Sequence, residues 1–190
     1  MTMAERVGTL GALTVAALLL PGCLLIRTTE HRIKLTEKGS GEAMMRLIDL
    51  RSDAVNDSVL NRDYSVMMTS VQKEGITEFE RGGRKVTATR FFAGGDTLTA
   101  EIFYTFPALD QVEGLKMNKD ELFVVVTQGR EVVRTNGSVE SWARKSQRIV
   151  WPRDAKLLTY VITEKKMPPA TRSLAPLYQK FGYSLPEGAQ

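Results

Sequence analysis

The chain is poor in the residues that most often carry chemistry. It has one cysteine, Cys23, and one histidine, His31, among 190 residues. A single thiol permits no internal disulfide. A zinc site needs three or four ligands, more than this supply of Cys and His provides. Long hydrophobic runs are missing too: the longest, Thr9–Leu20, has twelve residues, well short of the roughly 20 that a membrane-crossing helix requires. Charge of one sign is not concentrated, with 26 Lys and Arg against 22 Asp and Glu and a net charge of +4. That is mild basicity, not the dense stripe of a nucleic-acid binder.

Catalytic signatures are equally scarce. Gly82-Gly83 and Gly94-Gly95 lack the Lys-Ser/Thr that completes a phosphate cradle, so both read as hairpin turns. No Gly-x-Ser-x-Gly elbow occurs. Asp49, Asp53 and Asp57 recur every four residues, without the alternating ligands and central glycine of a calcium loop. They read as strand-end and helix-cap carboxylates. His31 reads as an ordinary strand residue. No cofactor, metal site or nucleic-acid partner is implied, and the expectation is a protein that is not an enzyme.

What is present begins at the N-terminus. Arg6 precedes the apolar stretch Thr9–Leu20, which leads into Leu18-Leu19-Leu20-Pro21-Gly22-Cys23. This ordering of basic, apolar and small residues is that of a secretory signal, and its last residues resemble the lipobox of bacterial lipoproteins. The resemblance covers residues 1–23 only. It implies cleavage between Gly22 and Cys23, acylation of Cys23, and anchoring in a membrane of the cell envelope. Each buried lipid CH₂ contributes about 0.8 kcal/mol, and two or more chains make an anchor stable. Leu24, standing where retained lipoproteins carry aspartate, leans toward the periplasmic face of the outer membrane. Four segments follow: a signal peptide 1–22, a lipidated tether 23–29, one folded domain 30–183, and a polar tail 184–190.

The body reads as α+β. His31–Thr36 and Glu42–Leu50 alternate as half-buried strands do and flank a Gly-containing turn. Between Ser52 and Glu74 the apolar period lengthens to three or four residues, predicting one broken helix or two short ones, capped by Asp53 or Asp57 and by Asn61 or Asp63. From Ile76 onward strands are expected. In Thr97–Phe106, Leu98, Ala100, Ile102, Tyr104 and Phe106 share one face. Asn136-Gly137 suits a type I′ hairpin. Ser173–Phe181 closes the domain as a short helix, with Leu174, Leu177, Tyr178 and Phe181 on one side. The expected fold is a curved antiparallel β-sheet of about eight strands, open or partly closed into a barrel, with helices on one face.

The strongest regional bias is basic. Arg144, Lys145, Arg148, Arg153 and Lys156 crowd the last hairpin, with Trp142 and Trp151 among them. As a patch they would suit an anionic lipid or an acidic partner; as solvated strand positions they would leave the tryptophans to the core. Two functions follow. The first is a non-enzymatic envelope lipoprotein that docks on an envelope protein complex or cell-wall component. The alternative is a carrier or chaperone for lipid or another apolar ligand held between sheet and helices, where Met67 and Met68 would supply adaptable lining.

Overall fold

The computed structural model describes residues 24–71 and 75–184, without the Arg144 side chain. Gly22 and Cys23, the signal segment, Gln72–Glu74 and nearly all of the polar tail therefore lie outside the described residues. The fold is α+β and mostly antiparallel sheet, as expected, and the sheets do not close into a barrel.

Two long strands form the centre, β1 (Leu24–Leu35) and β2 (Gly41–Ser52). Helix α1 (Asp57–Thr69) follows, then α2 (Gly75–Glu80). Next come β3 (Lys85–Gly94), β4 (Thr97–Phe106), β5 (Leu115–Met117), β6 (Glu121–Val126), β7 (Arg130–Thr135), β8 (Ser138–Ser141), β9 (Gln147–Pro152) and β10 (Leu157–Glu164). A two-residue strand β11 (Arg172–Ser173) and helix α3 (Ala175–Phe181) complete the chain. The larger sheet runs β3-β4-β2-β1-β10-β7, with β11 added beside β2, and the smaller runs β5-β6-β9-β8. Among the described residues eleven strands therefore stand where about eight were expected, and β5 and β11 are too short to show alternation.

Several local readings change. Residues 24–29, expected as a tether, are the first half of β1 and pair with β2 from Leu24↔Ser52 onward. Ile76 opens no strand: it lies in α2, which buries Phe79. The cap of α1 is Asn56, whose side chain accepts from the Val59 amide at 2.9 Å, and not one of the aspartates. Asp63 is instead buried, accepting from the Ser52 hydroxyl at 2.6 Å and so tying α1 to the end of β2.

The inner face of the large sheet carries two separate cores. At one end it packs on the small sheet, with Ile33, Tyr104, Phe106 and Leu158 meeting Leu122, Val124, Ile149 and Trp151. At the other end α1 and α3 cover it, with Tyr64, Met68 and Leu174 meeting Leu50, Phe91 and Leu98. Between the cores, β1 and β2 change which residues they turn inward. In β1 the inward residues change from Ile33, His31 and Thr29 to Ile26 and Leu24; in β2 they change from Ala43, Met45 and Leu47 to Leu50 and Ser52. The parity of both strands switches at the level of Arg27 and Asp49. Asp49 has φ of +61°, in the left-handed region that Asp tolerates better than most residues. Its carboxylate holds Arg27 Nε at 2.7 Å and Arg51 Nη1 at 3.0 Å.

The outer face is locked by a ladder of charge. Arg90, Glu101, Arg46, Glu30, Val161 and Arg134 are successive cross-strand neighbours. Arg46 donates to Glu101 at 2.9 Å and to Glu30 at 3.0 Å, and Arg134 reaches Glu30 at 3.3 Å. A one-residue slip of any strand would break this row, so it reinforces the register that the buried face sets. The β3 edge is covered: Tyr178 donates to the Phe91 carbonyl at 3.0 Å and the Phe91 amide donates to Tyr183 at 3.2 Å. Such capping removes free backbone groups from an edge that could pair with another chain.

Asn136-Gly137 is not a hairpin turn. It passes the chain from β7 in the large sheet to β8 in the small one. The Asn136 Oδ1 accepts from Trp151 Nε1 and from the Thr159 amide, both at 2.8 Å, while its Nδ2 donates to the Leu157 carbonyl at 2.8 Å. A Cβ on Gly137 would stand 2.7 Å from the Trp151 ring, so the corner admits only glycine. Asn136→Ala strands the buried Trp151 N–H and should lower unfolding stability by about 2–3 kcal/mol, read as a lower urea midpoint with unchanged slope. An unchanged midpoint would show that the corner does not hold the sheets together.

Candidate functional site

A cavity of about 190 Å³ lies between the two cores. Its floor is two adjacent cross-strand rows of the large sheet. One row is Thr89, Ile102, Met45, His31 and Tyr160; the next is Phe91, Ala100, Leu47, Thr29 and Ile162. Each residue is inward-facing by strand parity, and each stands beside its neighbour because register places it there. The roof is Met67 of α1, Ser70 and Val71 just after it, and Ile76 and Phe79 of α2. Leu24 and Ile26 extend the lining beyond the parity switch, so it follows β1 from Leu24 to His31, about 23 Å at ~3.3 Å per residue.

The size constrains what can enter. An engineered apolar cavity of about 150 Å³ holds benzene, whereas drug-sized ligands fill about 300–1,000 Å³. This space therefore suits one narrow apolar group, such as a chain or a ring, and not a whole multi-chain lipid. The walls are almost entirely apolar. Met67 lines the cavity as the methionine pair suggested, but Met68 is fully buried in the neighbouring core, and Met45 is the second methionine at the wall.

Polar groups gather at one end. His31 stacks on Tyr160 with ring centroids 4.6 Å apart. Burial holds the imidazole down to about 4, so it is neutral at pH 7, and burial pushes the Tyr160 phenol well above its ordinary value. Glu113 borders the space near Tyr160, whereas Arg130 borders it farther along, opposite Glu164 and one residue beyond the Thr28–Thr163 pair. Arg130 is ion-paired with Glu164. Arg84 lies 3.8 Å from Glu113, stacks over the Phe79 ring and donates to the Phe79 carbonyl at 2.9 Å.

The basic run of the last hairpin is laid out differently from a single patch. Lys145 and the backbone of Arg144 lie in a short turn before β9, whereas Arg153 and Lys156 lie in the turn after it. These turns stand at opposite ends of a six-residue strand, about 20 Å long. Arg148, on β9 between them, is held by Glu121 and Glu140, both at 2.7 Å, and stacks 4.6 Å from the Trp142 ring. Trp151 is in the core at 2% exposure, and Trp142 is 44% exposed. Lys145, Arg153 and Lys156 remain exposed.

Sequence reasoning passed over His31 and Tyr160 as site residues. The only signal was an imidazole at an inward strand position, and that does not say whether the residue opposite is a packing partner or open space.

The buried imidazole makes acid stability depend on one residue. Tyr160 and Glu113 are the titratable groups at the same end of the cavity. The folded-state value of about 4 lies below the unfolded value of 6.5, so the unfolded chain takes up the proton first as pH falls. The stability carried by neutral His31 is complete above pH ~6.5 and is lost toward pH ~4, by roughly 3 kcal/mol. Urea unfolding between those pH values should show the loss, and His31→Phe should remove most of it. An identical acid profile in the variant would acquit His31.

No protein-family model, curated protein or solved structure matches the chain, so the meaning of the cavity rests on its own geometry.

Proposed function

We propose that the chain is a lipid-anchored protein of the bacterial envelope whose folded body binds a narrow apolar ligand between its large sheet and its helices. The observation that carries this reading is the cavity of about 190 Å³, walled by ten floor residues and two helices. Of the two functions expected from the sequence, ligand binding gains support from it. Docking through the last hairpin loses some, because Arg148 is neutralised by two carboxylates and the other cations are divided between two turns. Binding is favoured over turnover. The His31 imidazole is a weak base, and among the described residues no hydroxyl is hydrogen-bonded to it.

The anchor is proposed from the lipobox resemblance at Leu18–Cys23. On that reading the outer membrane, periplasmic face, is the expected location. Since β1 starts at Leu24, an acylated Cys23 leaves no slack, and the body rests against the membrane surface. Among the described residues no helix is long and apolar enough to cross a membrane. Cys23→Ala should move the protein from the membrane to the soluble fraction and abolish fatty-acid labelling. Retention on the membrane without label would replace the lipid anchor with an uncleaved helix.

Ligand binding is tested by native mass spectrometry of the full chain released from detergent micelles. One apolar molecule per chain is expected above the mass of the lipidated protein. Ala100→Leu, which projects into the cavity from the floor, should abolish that adduct while leaving the thermal midpoint equal or higher. In a filled core the same change would cost about 1–3 kcal/mol. A wild-type chain with no adduct, together with a variant destabilised to that extent, would reduce the cavity to ordinary packing.

A further inference from the structure

If a ligand occupies the cavity, its polar end is constrained by two side chains that ordinary packing does not explain. His31 is 8% exposed and Tyr160 3%. Among the described residues, neither the imidazole nitrogens nor the phenol hydroxyl has a hydrogen-bond partner. Yet no buried side-chain N or O among those residues is sealed away without one. The polar atoms of His31 and Tyr160 therefore border open space, and the space that both line is the cavity. An inward strand position in an apolar wall is filled more stably by a side chain without polar atoms. Two adjacent polar groups, mutually stacked and aimed into the same void, form a receptor for a hydrogen-bonding group.

We infer that the ligand is a single-chain amphiphile whose uncharged hydrogen-bonding head, such as a hydroxyl, ester or amide, sits against His31 and Tyr160 while its chain runs along β1 toward Leu24. This rests on the proposed binding function and names the ligand class for it. The charge of the head follows from the surroundings. The charged side chains at the wall are Glu113 and Arg130, and Arg130 is already paired with Glu164. The imidazole is neutral because burial depresses its basicity. Glu113 in turn faces Arg84 at 3.8 Å, so a carboxylate head would be desolvated with no uncommitted cation at the wall, which is unfavourable. A neutral donor or acceptor meets no such penalty and satisfies both protein groups, since neutral imidazole and phenol can each donate and accept. The chain's direction follows from Thr29, Ile26 and Leu24, which continue the lining along β1; the Arg130–Glu164 ion pair flanks that path one residue beyond the Thr28–Thr163 pair, its charges committed to each other.

The protein's own anchor does not fit this role. An acyl chain attached at Cys23 would start beside Leu24 and bring its methyl end toward His31, leaving the polar pair without a partner.

The test uses the full chain in vesicles of a zwitterionic phospholipid, with three photoreactive alkyl probes of one chain length: an alcohol, the matching carboxylic acid and a headless alkane. Labelling is read by mass spectrometry on peptides of β1, β4 and α2. Near pH 8.5 the alcohol should label these peptides by ~10-fold or more over the carboxylate, the scale expected for burying an unpaired charge. The gap should narrow as the acid is neutralised toward pH 5. In Tyr160→Phe, and further in His31→Leu with Tyr160→Phe, alcohol labelling should fall to the level of the headless probe. Tyr160→Phe keeps the ring in place, so a fold defect in the double variant leaves the test intact. Equal labelling by alcohol and carboxylate near pH 8.5, or an alcohol preference that survives Tyr160→Phe undiminished, overturns the inference. If the headless probe labels the cavity in that case, the binding function stands without it. If no probe labels the cavity, both fall.

Discussion

The parity switch shared by β1 and β2 is the constraint on which the rest of the structure depends. Each strand has twelve residues, about 40 Å of extended chain, and among the described residues no single covering element is that long. The inner face is therefore covered in two parts, by the small sheet at one end and by helices at the other. A straight strand would carry one inward set of side chains along its length. By switching parity at Arg27 and Asp49, β1 and β2 present Leu24, Ile26 and Leu50 to the helix-covered core. Asp49 accepts a left-handed conformation costing roughly 1–2 kcal/mol for an L-residue. Charge-assisted bonds to Arg27 and Arg51, of a kind stronger than neutral ones, oppose that cost.

The cavity is what two covers leave between them. Phe79 belongs to one core and Met67 to the other, and the floor rows lie under the join. On a scale of about 24 cal/mol per Å³, an empty void of this size would cost at most roughly 4–5 kcal/mol, against a net stability of about 5–15 kcal/mol for a domain. The two polar groups without partners add to that cost at the same place. A packing fault would be relieved by larger apolar side chains at Ala100, Thr89 or His31, which the floor geometry admits.

Much of the fold was legible because its signals are local. The alternation of β4, the Gly94-Gly95 hairpin and the apolar face of α3 each depend on a few consecutive residues, and each appears where expected. The failures share one cause, dependence on distant chain. Leu24–Thr29 looked like a tether because the parity switch at Arg27 breaks the alternation that would have joined it to His31–Leu35. Asn136-Gly137 carries a hairpin's dipeptide, but whether β8 pairs with β7 or with β9 is decided across the sheets. Arg148 looked free in a basic run because one of its carboxylates, Glu121, lies 27 residues away. His31 had no local mark beyond its inward strand position: its neighbour is Tyr160 on β10, brought beside it by register.

The same separation explains why the head of a ligand would matter more than its chain. On the proposed anchoring, a ligand taken from the membrane leaves one apolar medium for another. The roughly 0.8 kcal/mol per CH₂ that drives a chain out of water then contributes little to the transfer, because the chain is out of water on both sides. What remains is the filling of a void that otherwise lacks contacts and the pairing of polar groups that otherwise have none. The first term favours any chain of the right width. The second distinguishes one head group from another, and in this chain it resides in His31 and Tyr160, at the end of the cavity farthest along β1 from Leu24.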